Sequence, residues 1–149
     1  MRVKVVVDPD VQKKYSTPPA QIEFYVVAYL NDPNGWSKKG HFFEPVSFNP
    51  DVTIHLSSNS TVNKECGLEG KLSCAIMNGK TVWLNAERWY HGAAKSKLSL
   101  DDYRQYMVSH EMGHILGYDH TECPCVGCPV PIMVQQTKGI GKCKPNTSV

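Results

Sequence analysis

The chain has 149 residues, 41% of them hydrophobic and 20% charged, and its formal net charge at neutral pH is +2. That length suits one domain, residues 1–149, with a real apolar core and is too short for two. The near balance of charge argues against a nucleic-acid surface, and no apolar run approaches the roughly 20 residues of a membrane span.

In chain order, Arg2 to Val7 is a β-branched run that predicts a strand, closed by Asp8-Pro9-Asp10. The apolar stretch is too short for a signal peptide, so either the protein starts at this strand or an export signal has been removed. Thr17-Pro18 reads as a helix N-cap followed by proline at the first helical position. Ile22, Val26, Val27 and Leu30 then form a helical stripe that stops at the turn Asp32-Pro33-Asn34-Gly35. Phe42 to Phe48 is apolar and expected to be extended. Val52, Ile54 and Leu56 alternate with Thr53, His55 and Ser57, the pattern of a half-buried strand. Asn78-Gly79 between Ala75-Ile76-Met77 and Thr81-Val82-Trp83-Leu84 is the strongest hairpin signal. Trp83 and Trp89 are expected in the core. There is no internal repeat, low-complexity tract or linker.

Ser99-Leu100-Asp101-Asp102 resembles a capping box, and both aspartates suit the positive end of a helix dipole. From there Tyr103, Met107, His110 and His114 fall on one helical face. Two imidazoles four residues apart on a rigid helix form half of a zinc site. Glu111 stands where a carboxylate reaches a metal-bound water. Gly117 can end the helix in a left-handed conformation, after which the returning chain offers His120 as the third nitrogen. Three protein ligands and an open position describe a catalytic zinc site rather than a structural one. One catalytic Zn2+ is therefore expected on His110, His114 and His120, with Glu111 as general base. Asp119 is open to three readings: support of a ligand histidine, a fourth ligand, or a hydrogen bond to nearby backbone. His41, His55 and His91 share no ligand spacing and read as surface or strand residues.

The long histidine motif, followed by the proline-bounded Pro131-Ile132-Met133, resembles the zinc motif and Met-turn of metzincin metallopeptidases. The stretches 30–36, 82–89, 109 onward and 131–137 are similar to an actinobacterial family of metzincin-like domains of unknown function. The resemblance implies an α+β, compact metzincin-like (zincin) domain. Its twisted, mostly parallel sheet would carry an antiparallel edge strand, with two main helices and a short C-terminal part after the Met-turn. An edge strand lining the cleft, either the strand at 52–57 or the next, would pair with extended substrate. It also implies zinc-dependent proteolysis, Met133 as packing beneath the site, and residues 130–136 as a wall of the pocket for the residue after the scissile bond. The sequence departs from many metzincins in having only a short tail after Met133, and from astacin-like members in having no tyrosine there.

Cys66, Cys74, Cys123, Cys125, Cys128 and Cys143 are an even, fairly dense set that favours disulfides and an oxidising compartment. Cys66 and Cys74 flank a short loop with two glycines and suit a local pair; the other four would tie the loop after His120 to the tail. The rival is a second zinc site on those four thiolates, although the paired CxxC…CxxC spacing is missing. Asn59-Ser60-Thr61 and Asn146-Thr147-Ser148 match a glycosylation sequon, which matters only in a eukaryotic secretory pathway.

The expected protein is a monomeric, extracellular or secreted zinc endopeptidase acting on a peptide or protein substrate, with an intracellular or virion setting left open. The alternatives are a zinc-bound but non-catalytic binding module, a disulfide-stapled interaction domain with incidental histidines, and a zinc aminopeptidase.

Overall fold

The computed structural model describes residues 1–67 and 72–149. Its centre is a five-stranded sheet built from β1 (Arg2–Val7), β2 (Glu44–Pro45), β3 (Val52–Ser57), β4 (Cys74–Ala75) and β5 (Thr81–Asn85), in the order β2-β1-β3-β5-β4. β1 pairs in parallel with β2 and β3, and β3 with β5, whereas β4 runs antiparallel on β5. This is the mostly parallel sheet with an antiparallel edge strand that was expected. The edge strand is β4, while the strand at 52–57 lies inside the sheet. Val52, Ile54 and Leu56 are buried and Thr53 and His55 half-buried, as the alternation requires.

Five α-helices accompany the sheet: α1 (Pro9–Tyr15), α2 (Pro19–Leu30), α3 (Asn59–Cys66), α4 (Ala86–His91) and α5 (Leu100–Ile115). The two long ones carry the architecture. α2 lies on β1, α5 lies on β5, and the two helices touch. Ile22, Val26, Tyr29 and Leu30 form the buried face of α2. In α5 every residue from Gln105 to Ile115 is buried. A helix enclosed on all sides needs no strong polar face, and α5 is enclosed because the C-terminal segment covers what the sheet and α2 leave open.

Local details depart from the sequence reading. Pro18, extended, is the N-cap residue of α2, no side chain caps it, and Thr17 lies outside. Asp8-Pro9-Asp10 not only ends β1 but starts α1, with proline in the first turn. The short α3 and α4 escape periodicity and owe their starts to caps. Ser58 Oγ accepts from Thr61 N–H at 3.3 Å, and Asn85 Oδ1 accepts from Glu87 and Arg88 N–H at 2.9 and 3.3 Å. In the 42–48 stretch only Glu44–Pro45 pairs; Phe43 is buried, but Phe42 and Phe48 are exposed. Trp89 is in the core as expected. Trp83 is half-buried on the outer sheet face, stacked on His55, because the pleat gives the inward positions to Val82 and Leu84.

After α5 the chain is mostly irregular. Disulfides join Cys123 to Cys143 and Cys125 to Cys128, and Cys66–Cys74 ties the end of α3 to β4. With every cysteine paired, no thiolates remain for a second zinc site. Gly70, one of the two glycines between Cys66 and Cys74, lies outside the described residues. Val130, Val134, Ile140 and Cys143 form a small second core. Among the described residues no helix is long and apolar enough to cross a membrane.

Candidate metal centre

α5 brings His110, Glu111 and His114 to the cleft. Its start matches the capping expectation: Ser99 Oγ accepts from Asp102 N–H at 3.2 Å. Its end is reversed by Gly117 at φ +98°, a value only glycine adopts without strain. A side chain there would also meet Asn78 Oδ1 at 2.8 Å. Asn78 belongs to the β4–β5 hairpin turn, whose tip is fastened to the helix end by a bond from Asn78 N–H to His114 O of 2.9 Å. The turn is longer than a two-residue hairpin, since Ala75 pairs with Val82. Tyr118 N–H then returns to Gly113 O at 2.9 Å, and Thr121 N–H reaches Met133 O at 3.1 Å. His120 lies between these two fastenings.

The result is a cluster in which one nitrogen each from His110, His114 and His120 lies within 4.8 Å of the others. His110 and His114 are buried and His120 is exposed. His110 Nδ1 donates to Ile132 O at 2.8 Å and His114 Nδ1 to Tyr118 O at 2.9 Å. Carbonyls accept only, so each ring carries its proton on Nδ1 and turns an Nε2 lone pair inward. His114 Nε2 lies 3.1 Å from His120 Nε2. Nitrogens around one tetrahedral zinc, bonded at about 2.0–2.1 Å, are separated by a similar distance, roughly 3.3 Å. The donor set therefore fits zinc.

Burial pushes the His110 imidazole down to about 3, against the smaller opposing effect of its bond to Ile132, and keeps it neutral. Burial also lowers His120, with His114 nearby adding to the effect. Neutral imidazoles are the form that binds metal. Glu111 is buried, and that burial pushes its carboxyl up to about 8. Its Oε1 lies 3.9 Å from His110 Nε2, and its Oε2 finds no hydrogen-bond partner among the described residues. A buried carboxylate oxygen without a partner is costly, and here it stands beside the three imidazoles.

Met133 is buried, and a methyl added at Gly113 would collide with its sulfur and come within 2.9 Å of Trp36 Cζ2. A cavity of about 220 Å³ opens from the imidazoles, walled by Ala75, Met77, Tyr103, Met107 and Thr137. Tyr103 and Thr137 join their hydroxyls at 2.6 Å. The fully buried Tyr106 ties α5 to the C-terminal segment, donating to Val134 O and accepting from Gln136 N–H at 3.2 and 3.0 Å.

The structure brings together all four predicted site residues. Asp119 makes a local bond, its Oδ1 accepting from His120 N–H at 2.7 Å. His41, His55 and His91 stand apart from the cluster, against Trp36, Asp8 and Glu87 respectively. The expected wall at 130–136 is only partly placed. Gln135 lines the cavity together with Thr137, whereas Val130 and Val134 belong to the second core. Sequence reasoning gave Trp36 and Tyr106 no role at the site. Their contacts are long-range, and no local spacing announces them.

Fold and site thus define a mixed α/β protein with a tri-histidine cluster and a buried glutamate in its cleft. The chain belongs to the family described as "Protein of unknown function (DUF3152)", which matches residues 3–146. No curated protein matches it. A crystal structure of myroilysin is similar at 20% identity and a TM-score of 0.48, covering 86% of this chain and 48% of that one. A second myroilysin structure gives 19%, 0.40, 86% and 46%. The chain thus spans about half the length of these solved proteins.

Proposed function

We propose that the protein is a metzincin-type zinc endopeptidase secreted to an oxidising compartment, with His110, His114 and His120 as metal ligands and Glu111 as general base. One observation carries the reading: three inward-facing imidazole nitrogens, two fixed by carbonyls, beside a buried carboxylate with an oxygen unmatched. Met133, packed under Gly113, is the residue of a Met-turn. The three disulfides suit an extracellular setting. Residues 1–149 act as one catalytic domain.

Bound zinc supplies a Lewis acid that polarises a carbonyl and acidifies water. The chain's own groups do the rest. His110 and His114, held by Ile132 O and Tyr118 O, keep the ligand face fixed. Glu111 takes a proton from the attacking water and passes it to the leaving amine, a role suited to a carboxyl raised towards neutrality. β4, with its outer edge unpaired in the sheet order, is the strand on which an extended peptide lies.

The test is cleavage of a diverse peptide library, with and without chelator, alongside measured zinc content. Glu111→Gln is expected to keep zinc and lose at least about 100-fold in turnover. Full activity of that variant would refute the base assignment. Zinc without any cleavage by the wild type would favour a binding module, and release of single N-terminal residues an aminopeptidase.

A further inference from the structure

We propose that Trp36 and Tyr118 are positioning residues for His120, and that their ring stack sets how tightly the site holds its metal; this rests on the zinc reading above. His120 is the exposed ligand and the one not carried by α5. Its position depends on how the chain leaves the helix at Gly117 and Tyr118. Tyr118 uses both backbone groups on the helix end, its N–H on Gly113 O and its carbonyl on His114 Nδ1, each at 2.9 Å. These bonds tie Tyr118 to α5 alone. Its ring supplies the link to the rest of the protein, lying on the Trp36 indole at a centroid distance of 4.8 Å and an interplanar angle of 26°.

Trp36 is a fixed plate. It is 1% exposed, and its Nε1–H donates to Ser109 O at 2.8 Å. Its Cζ2 faces Gly113 so closely that a methyl there would come within 2.9 Å. One indole therefore touches the residue before the first ligand, the glycine before the second, and the residue two before the third. Tyr118 itself is 40% exposed, so its ring adds little to the core. A large aromatic held half in water at this point is better explained by where it places the backbone than by the area it buries.

The experiment compares wild type, Tyr118→Phe and Tyr118→Ala. Zinc affinity is measured by competition with a chromophoric chelator, and thermal unfolding is followed on the metal-stripped proteins. Tyr118→Ala is expected to bind zinc about 10-fold or more weakly. Tyr118→Phe, which keeps the stack, should stay close to wild type, and the three metal-free unfolding midpoints should agree. Equal zinc affinity in Tyr118→Ala overturns the inference while leaving the zinc reading intact. So does a Phe variant as weak as Ala, or a metal-free Ala variant destabilised in proportion to its lost affinity. A wild type that binds no zinc overturns the zinc reading and the inference together.

Discussion

Residues 1–115 and 116–149 hold their shape by different means. In the first part the described backbone runs through strands and helices, and side chains gather in one large core under the sheet. In the second, regular structure amounts to one short 3-10 turn at Gln136–Lys138 and an isolated bridge between Pro129 and Lys144. Two disulfides and a small core of Val130, Val134, Ile140 and Cys143 stand in for hydrogen-bonded ladders. The site straddles the two parts: α5 contributes His110, Glu111 and His114, and the irregular part contributes His120 and Met133. The contrast teaches that two ligands are placed by helical repeat, and the third by tertiary bonds and covalent staples.

Four substitutions break or sharpen that contrast. The largest stability loss is expected from the first part: Leu84→Ala, at a site 1% exposed on β5, should cost about 4 kcal/mol through lost burial and a cavity. Denaturant unfolding would show a lower midpoint, with the zinc affinity of the still-folded fraction unchanged. Next is the paired change Cys123→Ser and Cys143→Ser. Opening a closure with a sequence separation of 20 should cost about 3 kcal/mol. Hydrogen exchange should rise across 121–143 and stay slow in the sheet, with zinc binding weakened. If the sheet loses protection equally, the two parts are one cooperative unit and the contrast fails.

Gly113→Ala probes the seam. In an open helix the change would gain about 1 kcal/mol, but here the new methyl meets the Met133 sulfur and Trp36. Overpacking of about 2 kcal/mol outweighs the gain, so a net loss of about 1 kcal/mol is expected in the metal-free protein. A stabilised variant would mean that Met133 moves freely and that the seam is loose.

The smallest effect belongs to a surface network in the first part. Glu87 accepts from Lys14 Nζ and from the Tyr15 hydroxyl, each at 2.5 Å, and these two bonds hold its carboxyl below the usual range. A depressed carboxyl contributes stability above its unfolded-state pKa and loses it as pH falls through the folded value. Glu87→Gln should therefore be slightly less stable than wild type at pH 7, by no more than surface ion pairs usually contribute. The two proteins should converge in acid. A gap that persists there would assign the effect to shape rather than charge.

The sequence by itself determined the parts whose cause is local. β1, β3 and the buried stripe of α2 followed from side-chain period, and the start of α5 from Ser99. The ligands His110 and His114 and the left-handed Gly117 followed from offsets within one helix and its end. Cys66–Cys74 followed from proximity in the chain. Short helices such as α3 and α4 stayed hidden because fewer than three turns leave little periodicity to read. Tertiary structure alone decided which strand forms the antiparallel edge, how the last four cysteines pair, and that Trp83 faces outward. It also decided that Trp36, 73 residues before Ser109, lies under the site and meets the ring of Tyr118. The physical reason is the same in each case. Local patterns fix backbone conformation residue by residue, but contacts between distant segments are chosen by packing the whole chain, where shape and hydrogen-bond satisfaction decide together.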